Sequence, residues 1–213
     1  MGFFKRELRA IGVFLKDYNN EAIVLGSAML FLALKNYHPL GEEWTSELFY
    51  YLLLPVLVIV FILRKNPLDF GLRLGDVKKW LAYVGITCLI GAPILYTVSR
   101  LSPFQSYYDL QNFNFWSYLL TSIATLTASE FLFRGFLIFG LKERFKEASI
   151  LVQMVPFVLV HLGKPELETL STILTGIYFG FIVYRTNSYW PALIIHIFIN
   201  VFFVVSVNFL YIR

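Results

Sequence analysis

The residues of this sequence that could carry out chemistry are a few polar side chains within long apolar stretches. Glu130 and Arg134 lie four residues apart in Ala-Ser-Glu-Phe-Leu-Phe-Arg-Gly, and His161, His196 and Asn200 follow in equally apolar surroundings. A charged side chain at bilayer depth costs at least ~2.5 to 3.5 kcal/mol, so these residues must face protein or trapped water. A glutamate, two histidines and an asparagine supply the base, the acid and the oxyanion donor that hydrolysis of an amide requires.

The same residue types allow two other interpretations. Glu130 and Arg134 share one helical face in the favourable order, so they could serve only to neutralise one another. Two histidines and a carboxylate are also a ligand set of hydrolytic zinc sites, but the HExxH spacing is absent. We therefore expect a metal-free site and no cofactor, although the residue types remain compatible with a divalent metal.

The composition predicts a membrane protein that crosses the bilayer several times. Hydrophobic residues make up 58% of the 213 residues, charged residues make up 15%, and the mean hydropathy is +0.67. Too few polar groups remain to cover a soluble globule. The basic residues sit in short connections without a nucleic-acid signature. We expect membrane lipids as partners, and no nucleic acid.

The apolar stretches predict an all-α fold, a polytopic membrane helical bundle with about seven transmembrane helices. Their lengths suit helices that cross ~30 Å of hydrocarbon. Basic and apolar residues alternate at helical spacing over residues 1–20, which predicts an N-terminal interfacial helix. Because no repeat or linker is visible, we expect a single integral-membrane domain over residues 1–213. The predicted spans are Ala22–Tyr37, Trp44–Leu63, Trp80–Ser99, Trp116–Leu141, Ile150–Gly163, Leu170–Tyr184 and Tyr189–Tyr211.

The distribution of basic residues predicts the orientation. With the N-terminus in the cytoplasm, thirteen Lys and Arg fall on the cytoplasmic side, four fall on the other side, and Arg134 lies within the membrane. We therefore expect a multi-pass protein of a bacterial-type cell membrane with a cytoplasmic N-terminus. Glu130, His161, His196 and Asn200 then all lie roughly 14 to 20 Å from the cytoplasmic helix ends. We expect these four residues to line one cavity among the fourth, fifth and seventh spans.

The predicted fifth span is short, and the polar turn Lys164-Pro165-Glu166-Leu167-Glu168 follows it directly. A turn at depth is tolerated only where protein buries it or where it lines a wet cavity. Glu166 and Glu168 are therefore candidates for the wall of the site. The alternative is that both carboxylates merely solvate an outer loop.

Three separated motifs resemble those of the CPBP family, which comprises CAAX prenyl endopeptidases and bacteriocin-processing or immunity proteins and is also called ABI. The motifs are Ser-Glu-Phe-Leu-Phe-Arg-Gly from Ser129, Phe-Val-Leu-Val-His ending at His161, and His-Ile-Phe-Ile-Asn from His196 to Asn200, within the core residues 129–200. The resemblance implies an intramembrane endopeptidase, a hydrolase, and therefore a membrane-associated peptide or protein substrate as a partner. In that family a glutamate and the first histidine activate water, while the second histidine and the asparagine support the oxyanion.

Ser129 departs from the family pattern, which has two adjacent glutamates at this place. By position, Glu130 matches the second glutamate and Arg134 the arginine, so Ser129 replaces the glutamate usually credited with activating the water. If the chain is still a hydrolase, we expect Glu130 to act as the base with Glu168 assisting, and Arg134 to fix Glu130 through its planar fork of donors. The alternative is a non-catalytic membrane protein with an immunity, scaffold or substrate-binding role.

Overall fold

The computed structural model describes residues 2–209, which form helices joined by short connections, with no strand among the described residues. The predicted all-α fold is therefore confirmed. The end of the last predicted span, up to Tyr211, lies outside the described residues. The helices are α1 (Phe3–Asp17), α2 (Asn19–Tyr37), α3 (Glu43–Ile62), α4 (Val77–Val98), α5 (Ser102–Tyr108), α6 (Phe115–Phe145), α7 (Ala148–Leu159), α8 (Glu166–Thr186) and α9 (Trp190–Asn208).

Within residues 2–209, five helices are long and apolar enough to cross a membrane, namely α3, α4, α6, α8 and α9. A multi-pass membrane protein is thus supported, but the expected number of about seven spans is not confirmed. Of the predicted spans, α2 and α7 fall short. Polar residues, Asn19–Glu21 and Lys35–Asn36, occupy both ends of α2. The other helix, α7, has 12 residues, and a helix of that length is only about 18 Å long.

The helix predicted over residues 1–20 forms as α1, and none of its residues is buried. Its apolar positions, among them Phe4, Leu8 and Ile11, are exposed on one side. A helix with a basic face and an unpacked apolar face suits the surface of a bilayer. Its interfacial location stays a prediction.

The longest helix is α6, with 31 residues, and it lies at the centre of the bundle. It begins at Asn114, whose side chain accepts a hydrogen bond of 2.9 Å from the Ser117 amide and so caps the helix. Its segment Phe131–Leu137 is a π-helix in which every residue is buried. A Cβ at Gly135 would lie 2.9 Å from the Phe70 carbonyl oxygen, so this glycine lets the connection after α3 pack directly on α6.

At each end of the bundle, a hydrogen bond donated by a backbone amide joins segments that are distant in the sequence. At the end that we call the basic end, the Tyr189 amide donates to the Gly71 carbonyl over 3.0 Å. At the opposite end, the Leu110 amide donates to Asn208 Oδ1 over 2.9 Å. The basic end contains α1 and the connections 63–76, 146–147 and 187–189, while the opposite end contains the connections 38–42, 99–114 and 160–165.

Local sequence explains how α8 and α9 start and stop. Two acidic residues, Glu166 and Glu168, lie in the first turn of α8, where they complement the positive end of the helix dipole. Asn187, in the left-handed conformation with φ 52°, ends α8. Pro191 then starts α9 in its first turn, where its missing N–H costs no interior hydrogen bond. The short link between these helices holds α8 and α9 side by side around the site.

Candidate functional site

A cavity of about 350 Å³ lies among α4, α5, α8 and α9, beside the end of α7. Most of its wall is apolar, from side chains such as Leu95, Phe104 and Phe203. Its polar lining residues are Tyr108, His161, Lys164, Glu168, Ser171, Thr175, His196 and Asn200. Four of the residues singled out from the sequence, His161, Glu168, His196 and Asn200, therefore come together, whereas Ser129, Glu130 and Arg134 are not among the lining residues.

Glu130 lies behind His196 rather than in the cavity. His196 Nδ1 is 2.6 Å from Glu130 Oε1, and Arg134 Nη1 donates to the same oxygen over 3.1 Å. Glu130 and Arg134 are both fully buried. An ionised carboxylate can only accept, so Nδ1 of His196 carries the proton, and Nε2 is the nitrogen left for a ligand. Glu130 is thus placed to orient the His196 ring and to stabilise its protonated form.

Arg134 is packed as well as paired. Its guanidinium carbon lies 3.7 Å from the centroid of the Phe157 ring and 5.3 Å from that of Phe179. Cation–π contacts of this kind stabilise a desolvated guanidinium. The geometry fits a structural support for Glu130, but the second contact that the fork of donors could make is missing. Among residues 2–209, Nε and Nη2 of Arg134 have no hydrogen-bond partner.

His161 lies just beyond the last residue of α7, and its ring orientation is set by its own helix. Its Nδ1 is 2.7 Å from the Phe157 carbonyl oxygen. Because a carbonyl oxygen only accepts, Nδ1 carries the proton and Nε2 keeps a free lone pair. The rings of His161 and His196 both pack on the Phe157 ring, with centroids 4.6 and 6.1 Å away. Phe157 therefore positions both imidazoles relative to one another.

Asn200 lies one helical turn after His196 on the same face of α9. Its Oδ1 accepts hydrogen bonds from Tyr118 over 2.7 Å and from Ser122 over 3.1 Å. Two donors use both lone pairs of this oxygen, so the Nδ2 amino group is the part of Asn200 left to donate. Sequence reasoning missed Tyr118 and Ser122. The sequence feature that could have identified them is a pair of polar residues one turn apart on the helix that carries Glu130.

At the opposite end of the bundle, Glu168 is held by two partners. Lys164 Nζ donates to Glu168 Oε1 over 2.8 Å, and the Tyr108 hydroxyl lies 2.9 and 2.7 Å from its two oxygens. Burial, and next the Glu168 carboxylate, raise the pKa of Tyr108, so its hydroxyl keeps the proton that it donates. Glu166 is exposed instead. Of the two carboxylates predicted for the wall, only Glu168 lines the cavity.

Ser129 is half-buried on α6, next to Glu130. It lies seven residues after Ser122, which is close to two helical turns, so both serines project from the same side of α6. Ser122 contacts Asn200 on that side. A longer side chain at position 129 would therefore extend towards α9.

Within residues 2–209, no group of three or more His, Cys, Asp or Glu side chains is placed to hold a metal ion. The two cavity imidazoles each have one nitrogen engaged by protein, and Glu130 is engaged by Arg134 and His196. The expectation that the site works without metal or cofactor stays a prediction.

The comparison with protein families concerns the part of the chain that builds this site. Residues 111–202 match the family model described as type II CAAX prenyl endopeptidase Rce1-like. This stretch is Rce1-like. The predicted resemblance to the CPBP family is thereby confirmed for this stretch, which contains His161, His196 and Asn200 together with Glu130 and Arg134. No curated protein and no solved structure matches the chain.

Proposed function

We propose that this chain is an intramembrane endopeptidase that hydrolyses a peptide bond beside His161 and His196. Three groups of defined chemistry converge on one apolar cavity and support this proposal. The two imidazoles have their Nδ1 atoms engaged, and the Asn200 amide has its oxygen engaged. Two Nε2 atoms and one amino group are therefore free to act on a substrate.

In the proposed reaction, His161 Nε2 takes a proton from water, and the resulting hydroxide bonds to the peptide carbonyl carbon. Asn200 Nδ2 donates to the oxyanion that forms. His196 in its protonated form also donates to the oxyanion, and His161 returns the proton that it took from water to the leaving amine as the C–N bond breaks. Glu130 is fully buried and bonded to His196 and Arg134, so it acts in this proposal by holding His196 rather than as the base.

We place the protein in a bacterial-type cell membrane with its N-terminus in the cytoplasm. Basic residues of the N-terminal helix, of the connections at the basic end and of the helix ends beside them support this orientation by the positive-inside rule. They are Lys5, Arg6, Arg9, Lys16, Arg64, Lys65, Arg73, Lys78, Lys79, Lys142, Arg144, Lys146 and Arg185. The described basic residues of the opposite end are Lys35, Arg100 and Lys164.

The test is turnover of a peptide library by the protein purified in lipid nanodiscs. The variants His161→Ala, His196→Ala and Asn200→Ala should each lower kcat by at least ~10²-fold, because each removes a group that acts on water or on the oxyanion. His38→Ala is the matched control, since His38 is exposed at the end of α2 and should leave turnover unchanged. Full activity of His161→Ala, or no cleavage by the parent protein, would contradict the proposal.

A second candidate function is a non-catalytic immunity, scaffold or substrate-binding role. Ser129, in place of the family's first glutamate, favours it, because a serine hydroxyl without a base beside it does not activate water. This candidate predicts that bound peptides stay intact in the parent protein and that Ser129→Glu introduces turnover. Ser129→Gln is the control of equal length without a carboxylate. Cleavage by the parent protein would exclude this candidate.

A further inference from the structure

The cavity has a polar mouth at the opposite end of the bundle. Tyr108 at the end of α5, Lys164 before α8 and Glu168 in the first turn of α8 all lie there and line the cavity. The side chains of Lys164 and Glu168 are 31% and 20% exposed, so solvent reaches them. Asn208 Nδ2 donates to the Tyr108 carbonyl over 2.9 Å, which fastens α5 to the end of α9 beside this mouth.

Towards the basic end, the cavity stops at the two histidines. Behind them lie Phe157 and Phe179, each 2% exposed, and the fully buried Glu130 and Arg134. Close packing seals this floor, since a Cβ at Gly180 would lie 2.8 Å from the Ile150 side chain. Among these residues, no charged group on the basic-end side of the histidines is accessible to solvent.

The side wall is also closed below the cavity. Ile94, Leu95 and Val98 of α4 line the cavity with Ser171 and Thr175 of α8. One to two turns nearer the basic end, the hydroxyls of Thr87 and Tyr178 form a hydrogen bond of 2.6 Å between the same two helices. The wall between α4 and α8 is therefore joined on the basic side of the cavity.

From these contacts we infer that the cavity opens towards the membrane face opposite the N-terminus and not towards the basic end, and that its substrate is an apolar segment of an exported or membrane-anchored polypeptide presented from that face. The direction of opening is inferred from the polar mouth, the packed floor and the location of the basic end. The identity of the occupant as a substrate rests on the proposed function. Because the basic end is cytoplasmic by the positive-inside rule, the opening is non-cytoplasmic.

The residues that line the cavity also indicate which kind of substrate fits. The walls beside the histidines are aliphatic and aromatic, including Ile199, Phe203 and Val204, so they favour apolar side chains on either side of the cleaved bond. At the mouth, Lys164 is already paired with Glu168 over 2.8 Å. The pair is neutral in sum, so it does not select a charged chain end by attraction over distance. An internal apolar segment fits this mouth better than a free carboxylate.

The opening can be tested with cysteine variants and a charged thiol reagent that does not cross membranes. In a background of Cys88→Ala, Thr175→Cys places a thiol in the cavity wall, and Leu174→Cys places one on the adjacent residue, whose side chain is 73% exposed on the outside of the bundle. Glu166→Cys reports whether the reagent reaches the opposite end of the bundle, and Glu143→Cys reports whether it reaches the basic end. All four variants are expressed in a bacterial host and treated as intact spheroplasts and after permeabilisation.

We expect Thr175→Cys and Glu166→Cys to react in intact spheroplasts and Glu143→Cys to react only after permeabilisation. Thr175→Cys should react at least ~10-fold faster than Leu174→Cys, because only a thiolate reacts and lipid suppresses its formation. Labelling of Thr175→Cys only after permeabilisation would overturn the inference, because the cavity would then open to the cytoplasm. Labelling of Glu166→Cys but not Thr175→Cys in either state would also overturn it, because the cavity would then be closed.

Labelling needs no catalytic activity, so it separates this inference from the proposed function. An impermeant peptide that the purified protein cleaves, supplied to spheroplasts or to inverted vesicles, adds a second readout. We expect cleavage in spheroplasts only. If Thr175→Cys is labelled from outside but no peptide is cleaved, the proposed endopeptidase activity is contradicted and the inferred direction of opening is supported. If cleavage occurs in inverted vesicles only, the inferred direction is contradicted and the endopeptidase activity is supported.

Discussion

Two ion pairs with the same sequence spacing bracket the cavity and behave differently. Glu130 and Arg134, four residues apart on α6, are 3.1 Å apart and fully buried. Lys164 and Glu168, also four residues apart, are 2.8 Å apart, with side chains that are 31% and 20% exposed. The first pair lies under His196, and the second lies at the mouth with Tyr108.

The environment, rather than the spacing, determines what each pair contributes. Loss of one partner from a buried pair leaves a charge that no water can solvate, which is strongly destabilising. At the mouth, water can replace a lost partner, so a pair there contributes little to stability. The buried pair therefore has the larger structural role, and the predictions below test that difference.

The largest effect is expected for Arg134→Leu, which leaves Glu130 charged and buried. The free energy of unfolding, measured in mixed detergent micelles, should fall by about 3 to 5 kcal/mol. Arg73→Leu is the matched control. Asp69 and Arg73 are also four residues apart and paired over 2.8 Å, but their side chains are 57% and 58% exposed, so the loss there should stay below ~1 kcal/mol. Equal losses in the two variants would refute the difference.

Glu130→Gln keeps a hydrogen-bond acceptor for His196 but removes the charge that stabilises its protonated ring. We expect kcat to fall by roughly 10²-fold, because the protonated form of His196 loses this stabilisation. KM should change little, because Glu130 does not line the cavity. The free energy of unfolding should fall by about 2 to 3 kcal/mol, since Arg134 keeps a neutral acceptor. A rise in KM with unchanged kcat would indicate that Glu130 contacts the substrate instead.

Glu168→Gln tests whether the pair at the mouth takes part in the reaction. We expect a loss of about 1 kcal/mol or less in the free energy of unfolding, because both charges are partly solvated. The value of kcat should change far less than in Glu130→Gln. A drop in kcat as large as that of Glu130→Gln would show that Glu168 serves as, or assists, the base.

The smallest effect concerns Tyr108, whose pKa is raised by burial and by Glu168. Below pH ~10 this tyrosine is protonated in both the folded and the unfolded protein. Above that pH the unfolded form ionises while the folded form stays protonated, so stability falls as the pH rises. Tyr108→Phe should make this alkaline loss shallower, measured as the free energy of unfolding against pH. An unchanged alkaline slope in Tyr108→Phe would contradict this assignment.

Much of this molecule follows from local sequence alone. Long apolar stretches determine the helices, because a membrane or a buried core requires every backbone group to be paired within its own segment. The spacing of four residues places Glu130 with Arg134, and His196 with Asn200, on shared faces whatever surrounds them. The short length of the apolar stretch before His161 also follows from the sequence.

Tertiary packing determined which residues of other helices each of these helix faces contacts. The sequence places Glu130 and His196 at similar depth, but only the packing of α6 on α9 puts the carboxylate behind the imidazole and away from the cavity. Likewise, Tyr118 and Ser122 engage the oxygen of Asn200 because two separate helices meet there. Helical period fixes which residues share a face, whereas the neighbour of that face depends on contacts between distant segments, which no local pattern encodes.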